Sequence, residues 1–145
     1  MLTCVVLLGC GCVLAETPEE KDAVQMVQKL FDGMAAKDGA AIRATMLADA
    51  RLYAVREDGT PTVTAVEDFV KRISSIQGEV LERFTAKPQV SVRGRMAQVW
   101  GEYEFLRGGK FDHCGVDSAS LFKTAEGWRI ASIAFTSETT GCKSK

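Results

Sequence analysis

The hydrophobic period of this 145-residue chain changes for good at Gly78. Before that glycine, apolar residues recur mainly at helical spacing, one short strand apart; after it they alternate at the spacing of strands. A chain that stacks its helices first and its strands afterwards folds as an α+β protein, with the helices packed on one face of an antiparallel sheet.

Local signals place the elements. Thr17-Pro18-Glu19-Glu20 opens a first helix. The threonine caps, proline suits the first helical position, and the glutamate three residues on completes a capping box. Val24, Val27, Leu30, Phe31 and Met34 then form a stripe facing a core. Asp38 caps a shorter second helix running through Ile42, Met46 and Leu47, and a short strand follows at 52–56. Thr64-Ala65-Val66-Glu67 repeats the capping-box pattern ahead of a third amphipathic helix carrying Val66, Phe69, Val70, Ile73 and Ile76. Beyond Gly78 the strand-like runs are 79–86, 89–93, 96–106, 114–123 and 128–136. Strand parity sets Ala97, Val99, Tyr103 and Phe105 on a core face, with Gln98, Trp100, Glu102 and Glu104 behind them. In the last hairpin it sets Val116, Phe122, Ile133 and Phe135 on one face and Leu121, Trp128 and Ile130 on the other. A sheet apolar on both sides needs cover on both sides. Helices supply one side, and a second copy of the chain is the economical cover for the other.

All 18 basic and 19 acidic side chains lie beyond residue 15. The uncharged opening reads as a secretory signal segment over residues 1–15, cut before Glu16, which leaves one domain over 16–145. As a helix, fifteen residues reach only about 22 Å, too short for a bilayer core of about 30 Å, so no membrane span is expected. A competing reading makes Leu7-Leu8-Gly9-Cys10 a lipobox, with Cys10 acylated and the protein anchored at the envelope. Either way the chain is exported, to a periplasm or beyond the cell. Cys114 and Cys142 then face an oxidising compartment, where an even pair points to one disulfide; a buried free thiol at Cys114 is the alternative. A net charge of −1 and an isoelectric point near 5.9 argue against nucleic acid as a partner.

Several segments resemble the nuclear transport factor 2-like superfamily, in particular its SnoaL-like branch. They are Phe31-Asp32-Gly33-Met34, Lys37-Asp38, Asp49-Ala50-Arg51-Leu52 and Asp68-Phe69-Val70, followed by His113-Cys114-Gly115-Val116-Asp117, Leu121-Phe122-Lys123 and Gly127-Trp128-Arg129-Ile130. The resemblance spans about residues 20–137. It implies three N-terminal helices packed on a curved antiparallel sheet, forming a cone with a central pocket and a sheet that often dimerises. Its members range from isomerases, cyclases and dehydratases to non-catalytic binding modules, so fold alone leaves activity open.

The chain lacks the nucleophile elbow, the P-loop and the zinc-protease signature, and it contains no asparagine, which excludes Cys-His-Asn catalysis. One histidine and two mature cysteines are too few for a structural zinc site, so neither a metal nor a cofactor is expected. What remains is acid/base chemistry in a pocket. His113 and Asp117 share a strand face about 13 Å apart along the chain, too far for a dyad but able to line one cavity. Asp117 sits among small apolar neighbours whose burial of it would raise its pKa. Tyr53 and Tyr103 are the only tyrosines, and are the candidate donors within a ligand pocket. Each has a plainer reading: a polar hairpin end for His113, a surface carboxylate for Asp117, core packing for Tyr103. Lys71 and Arg72 read as the wet face of the third helix. The function that follows is that of an exported module that binds a small apolar or aromatic molecule, or acts as a dimeric interaction module, without catalysis. The alternative is an isomerase, cyclase or dehydratase working through His113 and Asp117.

Overall fold

The computed structural model describes residues 15–142. The uncharged segment up to residue 14, Cys10 included, lies outside the described residues. Among those described, no helix is long and apolar enough to cross a membrane.

Helix α1 spans Pro18–Ala35 and starts on the capping box: the Thr17 hydroxyl accepts from the Glu20 amide at 3.2 Å, and the Glu20 carboxylate accepts from the Thr17 amide at 2.7 Å. Its inner stripe, Ala23, Val27, Leu30, Phe31 and Met34, is buried. Asp38 caps α2 (Gly39–Thr45), its carboxylate accepting from the amides of Ala40 and Ala41 at 2.9 and 3.0 Å. The helix ends before Met46, where strand β1 (Met46–Arg56) already begins. Between α1 and α2, Lys37 adopts a left-handed φ of 53°. Its ammonium donates to the carbonyls of Ile76 and Gly78, both at 2.6 Å, just beyond helix α3 (Val66–Ser75). A cation at that end also favours the helix dipole.

The capping box expected at Thr64 does not form. Thr64 belongs to strand β2 (Pro61–Ala65), in register with Leu52, and α3 begins on Ala65 with no side-chain cap. A tight return of the chain beside β1 claims the threonine before the helix can use it.

Five further strands complete one sheet: β3 (Val80–Phe84), β4 (Gln89–Arg93), β5 (Met96–Arg107), β6 (Lys110–Thr124) and β7 (Gly127–Ser137). The order is β2-β1-β7-β6-β5-β3, with β4 also on β5. The sheet is antiparallel except where β1 runs parallel to β7. That pairing joins the strand between the helices to the strands after Gly78. The result is an α+β fold, three helices on a curved, unclosed sheet.

The β5 faces follow strand parity, with Ala97, Val99, Tyr103 and Phe105 all buried. The last hairpin departs from it. Leu121 pairs with Ile130 but Ser120 with Ser132, so Ala131 is an extra residue in β7. This bulge reverses parity midway along the strand. Ile133 joins Ile130 and Trp128 in the buried set beside Leu121, and Phe135 packs against it, while Phe122 stays 45% exposed on the convex side. Trp128 also ties the sheet to the start of α1: its indole donates to Glu19 at 3.1 Å, and Lys123 pairs with the same carboxylate.

Cys114 and Cys142 form a disulfide with a Cα–Cα distance of 5.9 Å, closing a loop of 28 residues. The intervening tail pairs back onto β6 through reciprocal amide–carbonyl bonds between Cys114 and Glu138, and Thr139 donates twice to the Glu57 carboxylate. Those two bonds hold Glu57 below the usual carboxylate range. On chain entropy the crosslink stabilises the fold by about 3–4 kcal/mol. Cys142→Ser is therefore expected to lower the unfolding free energy by about 3 kcal/mol in urea denaturation; an unchanged value would mean that the crosslink restrains nothing in the unfolded chain.

Candidate functional site

Helices α1 and α3 lean over the concave face of the sheet and leave a cavity of about 640 Å³. Its deep wall is apolar: Leu30 and Met34 from α1, Phe69 and Ile73 from α3, Leu52 from β1 and Ile133 from β7. Volume and lining suit a small organic molecule.

Two carboxyl groups interrupt that wall. Asp117 is buried on β6, and Glu82 reaches into the same cavity from β3, with β5 between the two strands. The curl of the sheet brings their side chains into a hydrogen bond with each other. A bond between two carboxyl groups requires a proton in it. Burial is the first cause lifting both groups; for Glu82 the Asp117 charge adds to it, partly offset by Arg72. Burial pushes Asp117 up to about 7, with the Glu82 hydrogen bond holding it lower than burial alone would. Glu82 stands well above its usual value, and the two groups hold the proton as a pair.

His113 lines the cavity too. Its ring stacks on Phe105 at 4.8 Å between centroids and meets Tyr103 edge-on at 5.8 Å. Its Nδ1 lies 2.8 Å from an Asp112 carboxylate oxygen. A carboxylate only accepts, so Nδ1 is the donor in this contact. Tyr103 is 2% exposed, and its hydroxyl donates to the Thr136 carbonyl at 2.7 Å. Burial and then the nearby carboxyls push its phenol further from ionisation. That hydroxyl is spent on backbone, although the ring lines the cavity.

His113, Asp117 and Tyr103 therefore meet in one cavity, and Tyr53 does not join them. Leu52, Ala54 and Arg56 line the cavity, so the period of two in β1 turns Tyr53 outward, beside Val63 and 44% exposed. Two site residues escaped the sequence reading. Glu82 carried a usable signal, because it falls in phase with inward-facing Val80 and Phe84 on a strand where a surface glutamate belongs out of phase. Arg72 is not simply on a wet helix face: the last turn of α3 overhangs the cavity, and its guanidinium sits over the Phe69 ring at 5.5 Å while lining the opening. Among the described residues no three His, Cys, Asp or Glu side chains converge on a point where a metal would sit.

The chain is similar to several solved structures. One is a nuclear transport factor 2-like protein of unknown function from Shewanella baltica OS155, 15% identical with a TM-score of 0.67, covering 88% of this chain and 99% of the other. Another is a nuclear transport factor 2-like superfamily protein from Salmonella enterica serovar Typhimurium LT2, at 12% identity and a TM-score of 0.69, covering 90% and 99%. A third, from Streptomyces avermitilis, is described as a "putative dehydratase" of the nuclear transport factor 2-like family, at 18% identity and a TM-score of 0.66, covering 83% and 98%. At these identities the likeness is one of fold. No curated protein matches the chain by sequence. The family model described as "Putative lumazine-binding" matches residues 18–136, from the first residue of α1 almost to the end of β7. The chain belongs to that family, within the nuclear transport factor 2-like superfamily.

Proposed function

We propose that the protein binds a small, largely apolar or aromatic molecule in the cavity, without transforming it. The observation that carries this reading is a cavity of about 640 Å³ whose deep apolar wall is interrupted by two neighbouring carboxyl groups, Glu82 and Asp117. With the shared proton held between them, the two carboxyls offer hydrogen-bond acceptors at a water-poor surface. The complementary partner is a flat ring that carries N–H donors, as the imide edge of lumazine does.

The test is a fluorescence titration with lumazine and with N-phenyl-1-naphthylamine as a neutral apolar probe, on the wild type and on Ala54→Phe, which fills the cavity from β1. Saturable binding of one molecule per chain, lost in Ala54→Phe, is expected. No saturable binding of either probe, or binding indifferent to Ala54→Phe, would overturn the reading.

One observation favours a second reading, an isomerase, cyclase or dehydratase. Asp117, whose pKa burial raises to about 7, shares one cavity with Glu82 and His113, as proton transfer requires. An enzyme would lose turnover in both His113→Ala and Asp117→Ala while keeping its fold.

The exposed convex-face residues Tyr53, Val63, Met96, Trp100 and Phe122 support a second copy of the chain covering that side. The disulfide and the uncharged opening segment support export to an oxidising compartment.

A further inference from the structure

Three arginines from three separate elements surround the opening of the cavity: Arg56 at the end of β1, Arg72 in the last turn of α3 and Arg107 at the end of β5. All three are exposed at one end and line the cavity at the other. Among the described residues neither Arg56 nor Arg72 has a carboxylate partner at ion-pair distance. Arg107 has only a loose one: its Nε is 3.5 Å from an Asp112 carboxylate that also takes His113 at 2.8 Å. Arg72 is held in place by an aromatic face, which positions a guanidinium without neutralising it.

The charges do not cancel inside the cavity either. Glu82 and Asp117 carry at most two negative charges between them against three guanidinium groups. The lining is thus net positive in a chain whose formal charge is −1. A concave, low-dielectric wall concentrates such a field at the opening. Guanidinium groups recognise planar oxyanions through paired donors, and do so most strongly where water is partly excluded.

We propose that the ligand is bipolar: an apolar body, with an anionic oxygen head group (a carboxylate or sulfonate) held at the opening by Arg56, Arg72 and Arg107. This rests on the reading of the cavity as a small-molecule site and adds to it the charge and orientation of the occupant. The deep carboxyl pair repels an anion, so the head group faces outward and the uncharged end enters first.

The test compares two probes with the same ring system, 8-anilinonaphthalene-1-sulfonate and N-phenyl-1-naphthylamine, which differ only in the sulfonate. At low salt and about pH 7 the anionic probe is expected to bind about tenfold more tightly than the neutral one. That affinity ratio should fall towards one in Arg56→Gln/Arg72→Gln, and also in the wild type as salt is raised. Ala54→Phe serves as the control that both probes occupy the cavity rather than the apolar convex face. Equal affinities for the two probes in the wild type, or a ratio unmoved by both salt and the arginine substitutions, would overturn the bipolar ligand and leave the binding cavity standing. If neither probe binds, or neither is displaced by Ala54→Phe, the cavity reading falls and this inference falls with it.

Discussion

Gly115→Ala is expected to prevent the protein from folding stably, although it adds only one methyl group in the middle of a strand. A Cβ at position 115 would stand 2.1 Å from the Thr136 carbonyl oxygen and 2.8 Å from both the carbonyl carbon and the hydroxyl of the same residue. The obstacle is mostly backbone and has no rotamer to yield. Nor is the backbone free to retreat: that carbonyl accepts from the buried Tyr103 hydroxyl, and the Thr136 hydroxyl accepts from the Val116 amide at 3.1 Å. One residue away, Cys114 anchors the tail through its disulfide. Glycine here serves close backbone approach, with no positive φ involved. Moving β7 would cost the tyrosine hydrogen bond and its packing together, a loss of about 3–5 kcal/mol, comparable to the whole stability of many small domains. Circular dichroism melting checks it. A Gly115→Ala protein that melts within a degree or two of the wild type would mean that the Thr136 backbone does not stand against position 115.

The second large effect is a dependence of stability on pH that runs opposite to the usual one. Carboxylates paired in a folded protein have depressed pKa values and lose their contribution on acidification. Glu82 and Asp117 are raised instead, by burial first. In the unfolded chain both release their protons near the ordinary carboxylate values, at about pH 4. The folded protein keeps them, with Asp117 titrating at about 7 and Glu82 above its usual range. Between those limits the native state binds more protons than the unfolded state, so stability is greatest below about pH 4 to 5 as far as this pair is concerned. It falls as pH rises through 7, at about 1.4 kcal/mol per pH unit for each extra proton. Arg72 softens the effect by favouring the Glu82 carboxylate, and Tyr103 stays neutral throughout this range. Urea denaturation from about pH 5 to pH 8 should show a loss of about 2–4 kcal/mol in the wild type. The Glu82→Gln/Asp117→Asn double variant keeps a hydrogen-bonded pair without the titration, and should show a much flatter profile and greater stability than the wild type at pH 8. Matching profiles for the two proteins would remove the pair from the account.

Much of this architecture could be read from local pattern. The capping residues Thr17 and Asp38, the inward stripe of α1 and the bounds of β4 are encoded within a few neighbouring residues, and they hold. So does the inward parity of β5, where long, unbroken alternation leaves one register. The misses depend on partners far away in sequence. Ala131 bulges because a strand bound by β6 on one side and by parallel β1 on the other must bend, and nothing in Ile130-Ala131-Ser132-Ile133 announces it. Thr64 caps well on paper until β1 takes it into a hairpin.

The cavity divides in the same way. His113 and Asp117 could be placed on one face by counting along a single strand. The partnership of Glu82 with Asp117 could not, because it bridges two strands that both pair elsewhere and depends on the curl of the sheet. Arg72 depends on which way the last turn of α3 tilts. Tyr53 was misplaced because a tyrosine on β1 is equally plausible on either face until Leu52 and Ala54 are seen to point inward.

The central claim is a carboxyl pair that shares a proton inside the cavity at neutral pH, and carbon-detected NMR titration of the side-chain carboxyls of the ligand-free protein tests it most directly. The account predicts that the Asp117 carboxyl carbon titrates at about 7. The Glu82 carbon should titrate well above the ordinary carboxylate value, and Asp117→Asn should bring that transition down by removing the neighbouring charge. Two independent transitions near the ordinary carboxylate values, at about pH 4, would contradict it. The cavity would then have a wall with two separate charges in place of a paired one.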